Sequence, residues 1–238
     1  LVSVMAANNE TGVLAPVAEI ARIAHAHGAL LHTDAVQAAG RIPLDRAALG
    51  ADLLSLSAHK LGGAPGAGAL IVRDGIVLAR QIAGGGQELG RRAGTENVPA
   101  IVGFGIAAEL AAQRVAELPE RLRRLRDRLE QGLVVQGATI FGRAAERLPN
   151  TSYFAFKDID GETLVGKLDR EGFAVASGAA CSSANPEPSH VLQAMGVAPE
   201  LARGSLRVSL GHTTTAADVD RAADVVIGAV ERLRRFPR

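Results

Sequence analysis

Cys181 is the only cysteine in the 238-residue chain, and it sits in a run, 176–186, with no charged and no bulky side chain. A buried structural cysteine normally packs against large apolar neighbours, and here the adjacent residues are small. A single thiol makes neither an internal disulfide nor a multi-thiolate metal site. Reactivity on a partly exposed loop is the reading left. Lysine is almost as scarce: Lys60, Lys157 and Lys167 are the only ones. Lys60 stands in Ser57-Ala58-His59-Lys60, which ends an apolar run and leads into the glycine-rich stretch 62–68. A lysine so placed can form a Schiff base when desolvation or a neighbouring positive centre lowers its pKa. Ser57, His59 and loop amides could hold a phosphate beside it. A surface lysine before a glycine turn gives the same string, so Lys60 alone decides nothing.

Asp34 shifts that balance. It follows the apolar run 29–33, where an unpaired carboxylate is costly to bury. A protonated pyridine nitrogen is one good partner, and a ring kept protonated in this way is an electron sink. Capping a helix N-terminus is the other reading of Asp34, and both can hold at once. Gln37 lies one helical turn further on and could donate to a phenolate oxygen. An acid after one strand and a lysine after the next buried strand fit pyridoxal phosphate (PLP) as cofactor.

The elements that must position these groups are legible as alternating periodicities. Residues 1–7, 29–33, 53–57 and 69–72 are near-continuously apolar, as strands covered on both faces are, and a helical pattern over 16–27 separates the first two. Such strands predict a mostly parallel α/β sheet with flanking helices, in which ligands sit at the carboxyl ends of strands. Asn8-Asn9, Asp34 and His59-Lys60 all fall just beyond such ends. A long glycine-rich loop over 84–97 precedes helices expected at 99–116 and 119–133. Beyond about residue 112 the pattern changes to a smaller α+β unit. Its expected strands are 139–141, 151–156, 173–176 and 205–210, with helices at 161–170, 189–195 and 216–235. The expected domains are therefore 1–112 and 113–238.

Composition narrows the function classes. Net charge is +1 and aromatic content is 3% without tryptophan, which argues against a nucleic-acid surface and base-stacking platforms. The arginines at 121, 123, 124, 126 and 128 alternate with Glu117, Glu120, Asp127 and Glu130, and read as a solvated helix face. No apolar stretch approaches the ~20 residues of a membrane helix. Low cysteine usage and no visible signal peptide fit the cytoplasm. His32 reads as a satisfied structural histidine, and no histidine has a second ligand at metal-binding spacing.

Six ordered stretches carry a resemblance. They are Asn8-Asn9-Glu10-Thr11-Gly12; His32-Thr33-Asp34-Ala35-Val36-Gln37; Ser57-Ala58-His59-Lys60; Gly84 to Asn97; the cysteine loop 177–183 running into Glu187-Pro188-Ser189-His190; and Ser205-Leu206-Arg207-Val208-Ser209. Together they resemble the NifS/IscS-type cysteine desulfurases, class V aminotransferase relatives of PLP fold type I. The resemblance implies a large PLP domain, here lacking its N-terminal part, followed by a small α+β domain with the catalytic cysteine. It implies that Lys60 forms the Schiff base and carries protons, that Asp34 pairs with the pyridinium nitrogen, and that Gln37 bonds the ring oxygen. Ser57 and His59 then hold the phosphate, joined by Thr95 across a homodimer with a shared site. Arg207 clamps the substrate carboxylate, Asn9 orients substrate and ring, and Cys181 is the nucleophile.

The implied reaction converts L-cysteine to L-alanine and leaves a persulfide on Cys181. Its sulfur passes to an acceptor or iron–sulfur scaffold protein, or indirectly to thiolated tRNA. No metal and no membrane enter. A selenocysteine lyase or another PLP lyase is the alternative within enzymes, and an inactive dimerisation partner the alternative outside them.

Overall fold

The computed structural model describes residues 1–177 and 188–235. It forms two compact units, the first made of Leu1–Ala7 and Ala15–Ala116, the second of Asn8–Leu14 and Glu117–Arg238. The chain thus leaves the first unit for seven residues, returns, and crosses again after Ala116.

In the first unit, β1 (Val2–Met5), β2 (Leu31–Asp34), β3 (Leu53–Ser57) and β4 (Gly68–Val72) form a sheet in that order. β1, β2 and β3 are parallel, with Met5 opposite Asp34 and Asp34 opposite Ser55; β4 returns antiparallel, with Ser57 opposite Gly68. Helix α1 (Val17–Ala26) connects β1 to β2, and α2 (Val98–Arg114) closes the unit. Asn97 caps α2 by accepting from the Ala100 amide at 3.3 Å, satisfying one of the donors a helix start leaves open. The expected mostly parallel sheet is present, with one correction. Leu31, Thr33 and Leu54 are fully buried, whereas Met5, Asp34 and Leu70, which the register places in one row, are exposed. An apolar run specifies a strand; it does not specify that both faces are covered.

The second unit opens with α3 (Leu118–Val135). An antiparallel sheet in the order β5 (Ala138–Ile140), β6 (Thr151–Phe156), β8 (Ser205–Ser209), β7 (Ala176–Ser177) follows, with α4 (Gly161–Arg170), α5 (His190–Ala194), α6 (Pro199–Arg203) and α7 (Ala216–Arg235). Leu122, Leu125, Leu129 and Leu133 recur at helical spacing on α3 and pack with Phe154, Phe156, Leu164, Leu168 and Leu206. The alternate residues of β6, Tyr153 and Ala155, pack with Phe141, Leu192 and Ala202, so β6 is buried on both faces.

Two local expectations are corrected. The strand expected over 173–176 shrinks to Ala176–Ser177, because the Phe173 amide bonds the Leu168 carbonyl (2.9 Å) and closes α4 through Gly172, whose φ is +84°. The charged face of α3 is also only partly solvated. Arg126 is buried and donates to the Leu148 carbonyl at 2.8 Å, while Glu130 is buried in a two-pronged pair with Arg147. Helix α6 answers to no sequence expectation. Among the described residues, no single helix is long and apolar enough to cross a membrane.

Candidate functional site

In the first unit, five of the expected residues lie at or just beyond the carboxyl ends of two neighbouring parallel strands. Asp34 is the last residue of β2, and its Oδ1 accepts from the Val36 amide at 2.9 Å; the residues that follow form turns and not a helix, so this bond closes a turn and the helix-capping reading is corrected. Its carboxylate is exposed, which corrects the premise of a carboxylate buried along an apolar strand. Gln37 follows on the turn after β2, half-buried. β3 ends at Ser57, and the 3-10 turn Ala58–Lys60 follows it. Ser57 Oγ lies 2.8 Å from His59 Nδ1, which places a hydroxyl and an imidazole side by side. Lys60 is half-buried at the end of that turn.

One side chain ties the two turns together. Arg41 donates from Nη1 to the Gln37 carbonyl (3.0 Å) and from Nη2 to the Lys60 carbonyl (3.4 Å). Burial pulls its guanidinium below the ordinary arginine value. Sequence reasoning passes over Arg41, because both of its partners are main-chain carbonyls. Gly63 supports the lysine turn from behind. Its amide bonds the Ala58 carbonyl at 3.0 Å, and a Cβ there would lie 3.2 Å from that same oxygen and 3.3 Å from the Ala107 Cβ.

His32 sits two residues before Asp34 on β2. Its Nδ1 is 2.7 Å from the Ser3 hydroxyl and its Nε2 2.8 Å from that of Ser55, so both ring nitrogens are engaged, as expected of a structural histidine. Thr95 is not among the strand-end residues. It is exposed on the loop before α2, following Gly94 at φ +102°. Earlier in that loop Glu88 and Leu89 both hold left-handed backbone (φ 52° and 55°), a conformation uncommon outside glycine.

In the second unit, Arg207 is on β8, opposite Tyr153 of β6 and Ala176 of β7. Its Nη1 donates to the carbonyl of Asn9 at 2.9 Å. The Asn9 segment is held by its neighbours: Asn8 Oδ1 accepts from the amides of Glu10 (3.0 Å) and Thr11 (2.9 Å) and from the Thr11 hydroxyl (3.1 Å). Gly12, at φ +74°, lets the chain turn where a Cβ would approach Thr151 Cβ to 3.1 Å. Glu10 is buried and accepts from the Ser189 hydroxyl. Cys181 lies outside the described residues.

The donor set is chemically mixed in a particular way. One carboxylate, one primary amine, one amide, and a hydroxyl–imidazole pair gather at two strand ends, while a guanidinium and a main-chain turn stand in the second unit. A ligand with a basic ring nitrogen, an aldehyde and a phosphate matches the first set, and a carboxylate matches the arginine.

Comparison with known proteins gives a consistent result. The family model for aminotransferase class-V matches residues 1–222. A cysteine desulfurase of Gluconacetobacter diazotrophicus is 51% identical over 238 residues, covering 99% of this chain and 60% of that protein. The cysteine desulfurase IscS of Methanosarcina thermophila is 47% identical over 237 residues, covering 99% and 59%. Among solved structures, a NifS-like protein from Rickettsia africae is 38% identical with a TM-score of 0.87, covering 98% of this chain and 61% of that one. The chain therefore spans about 60% of the length of the relatives it matches.

Proposed function

The chain belongs to the aminotransferase class-V family, and on that premise we propose that it is the greater part of a PLP-dependent cysteine desulfurase. The observation that carries the reading is the placement of Asp34 and Lys60 at the carboxyl ends of adjacent parallel strands. That is where α/β sheets bind ligands. The donor set fits PLP: an acid for the ring nitrogen, an amine for the aldehyde, and hydroxyl and imidazole donors for the phosphate.

In this reading the division of labour follows from each side chain. Asp34 holds a proton on the ring nitrogen. Gln37 donates its amide N–H to the ring oxygen, while Ser57 and His59 donate to the phosphate. Lys60 holds the cofactor through its amine and then moves the proton taken from the substrate Cα. Bound PLP supplies an electron-poor ring that stabilises negative charge at that carbon. Arg207 binds the carboxylate of L-cysteine as a forked donor, and Asn9 orients substrate and ring. Cys181, as thiolate, attacks the substrate sulfur. A new S–S bond forms, the substrate C–S bond breaks, and the departing carbon skeleton takes up a proton to leave as L-alanine.

The persulfide so formed is passed to a sulfur-acceptor or iron–sulfur scaffold protein. Thr95 reaches the phosphate of a second subunit, making the enzyme a homodimer with a shared site. The reaction runs in the cytoplasm. Residues 1–112 supply the cofactor-binding part and residues 113–238 the cysteine-bearing part.

The test is Cys181→Ala in the full-length protein loaded with PLP. Cofactor absorbance is retained, and alanine release from L-cysteine falls by about a hundredfold or more, as expected for loss of a covalent nucleophile. Alanine release at the parent rate sinks the assignment.

A further inference from the structure

The segment Asn8–Leu14 belongs to the second unit although the chain on both sides of it belongs to the first. It is bound there on several sides. Besides the Asn8 turn, the Leu148 amide bonds the Gly12 carbonyl (2.7 Å), the Leu14 amide bonds the Glu146 carbonyl (2.9 Å), and Val13 bridges Arg147. Two of its residues accept hydrogen bonds from side chains elsewhere in the second unit. The Asn9 carbonyl receives Arg207. The Glu10 carboxylate receives the hydroxyl of Ser189, a residue that in turn caps α5 through the Leu192 amide at 3.2 Å.

Ser189 is eight residues after Cys181, and the described chain resumes just before it, at Pro188. Glu10 and Ser189 are 8% and 5% exposed. Tyr153 borders them, its phenol pushed up to about 12, first by burial and further by the nearby Glu10 charge, while its bond to Ser205 (3.0 Å) works the other way. A carboxylate kept in such surroundings is expensive unless its bonds are made. The stretch on the other side of Cys181 is tied differently. Ser177 donates to Glu162, but that pair is exposed, and exposed contacts contribute little.

We propose that Glu10 is a positioning residue for sulfur transfer: it fixes Ser189, eight positions beyond Cys181 in the sequence, to the same seven residues whose Asn9 carbonyl holds the carboxylate-binding Arg207. This rests on Cys181 being the sulfur-accepting nucleophile and Arg207 the carboxylate clamp. Glu10 touches neither substrate nor cofactor and acts through Ser189. Because Asn8 builds the turn by its own side chain, shortening Glu10 leaves the Asn9 carbonyl in place. Cysteine binding and persulfide formation therefore separate.

The experiment uses the full-length PLP-loaded protein with Glu10→Ala, Glu10→Gln, Ser189→Ala and the Glu10→Ala/Ser189→Ala double variant. Glu10→Ala and Ser189→Ala each lower kcat for persulfide formation on Cys181 by about tenfold, the scale of a lost buried charge-assisted bond, with KM for L-cysteine within about twofold. The double variant loses no more than either single one. Glu10→Gln, whose amide oxygen still accepts from Ser189, recovers most of the rate. Without any substrate, iodoacetamide alkylates Cys181 several-fold faster in Glu10→Ala, and the Leu192 amide exchanges faster with deuterium. Unchanged kcat and alkylation in Glu10→Ala overturn the proposal. So does a Glu10→Gln variant as impaired as Glu10→Ala, or a KM that rises in step with the loss of kcat. If Cys181→Ala itself keeps desulfurating, the functional reading fails, and Leu192 exchange still reports separately on the Glu10–Ser189 tie.

Discussion

Asp52 and His25 meet across the first unit, the buried carboxylate Oδ2 lying 2.8 Å from the imidazole Nε2. The same carboxylate accepts from the Leu31 amide (2.7 Å) and from Arg73 Nε (2.7 Å), so one acid ties α1, the start of β2, the approach to β3 and the end of β4. Burial disfavours its charge, yet the Leu31, His25 and Arg73 bonds outweigh burial and bring its pKa from the ordinary 3.8 down to about 2.

A folded-state pKa below the unfolded one stabilises the fold at pH values above both. That contribution fades as pH falls from about 4 toward 2. With Arg73 half exposed to solvent, it amounts to about 1–2 kcal/mol. Asp52→Asn should lower stability by that amount at pH 7 and by almost nothing at pH 2. Denaturant midpoints at the two pH values provide the comparison, and equal losses at both would contradict it.

Arg147 and Glu130 present a harsher case, being both buried and joined at 2.8 and 2.9 Å. Arg147→Ala leaves a buried carboxylate without its partner and should destabilise the protein by about 3–5 kcal/mol, whereas Glu130→Leu with Arg147→Met should be far milder. Urea unfolding of the two variants distinguishes a charge stranded in the core from the mere loss of an attraction.

Lys60→Ala should abolish the visible absorbance that PLP gives with the full-length protein. Borohydride treatment should leave a cofactor-derived mass on the peptide containing residue 60 only in the parent. A band that survives the substitution removes Lys60 from its assigned role.

Arg207→Lys keeps the positive charge and loses the planar fork. Cysteine kcat/KM should fall by about 10–100-fold, mostly through KM. A variant with parental KM places the carboxylate elsewhere. PLP absorbance should be unaffected, since cofactor binding is assigned to other residues.

The readable parts of the site were those that follow apolar runs. β3 and β6 form over 53–57 and 151–156 as their patterns require, and Asp34, Ser57 and Lys60 stand at strand ends because periodicity marks where strands stop. What sequence does not display is pairing across distance. Glu10 and Ser189 are 179 positions apart, and neither is unusual among its neighbours. Arg41 acts through main-chain carbonyls, which no side-chain pattern records. Glu130 reads as one more acid on a charged helix, and only the arrival of Arg147 and the loop before β6 puts it in the interior. The exposed row of Met5, Asp34 and Leu70 escaped for the same reason, since coverage of a sheet face depends on what else packs there.

The detour of Asn8–Leu14 sets a rule for anyone dissecting the molecule genetically. Scission after Ala116 looks like a clean division, yet the C-terminal piece would leave behind acceptors its own residues use. Ser189 would lose Glu10, Arg207 the Asn9 carbonyl, and the Leu148 amide the Gly12 carbonyl. A self-sufficient version of that half needs the borrowed heptapeptide grafted back, as an appended strand-like insert or as a peptide added in trans. The cooperative body and the contiguous gene fragment are different objects in this protein.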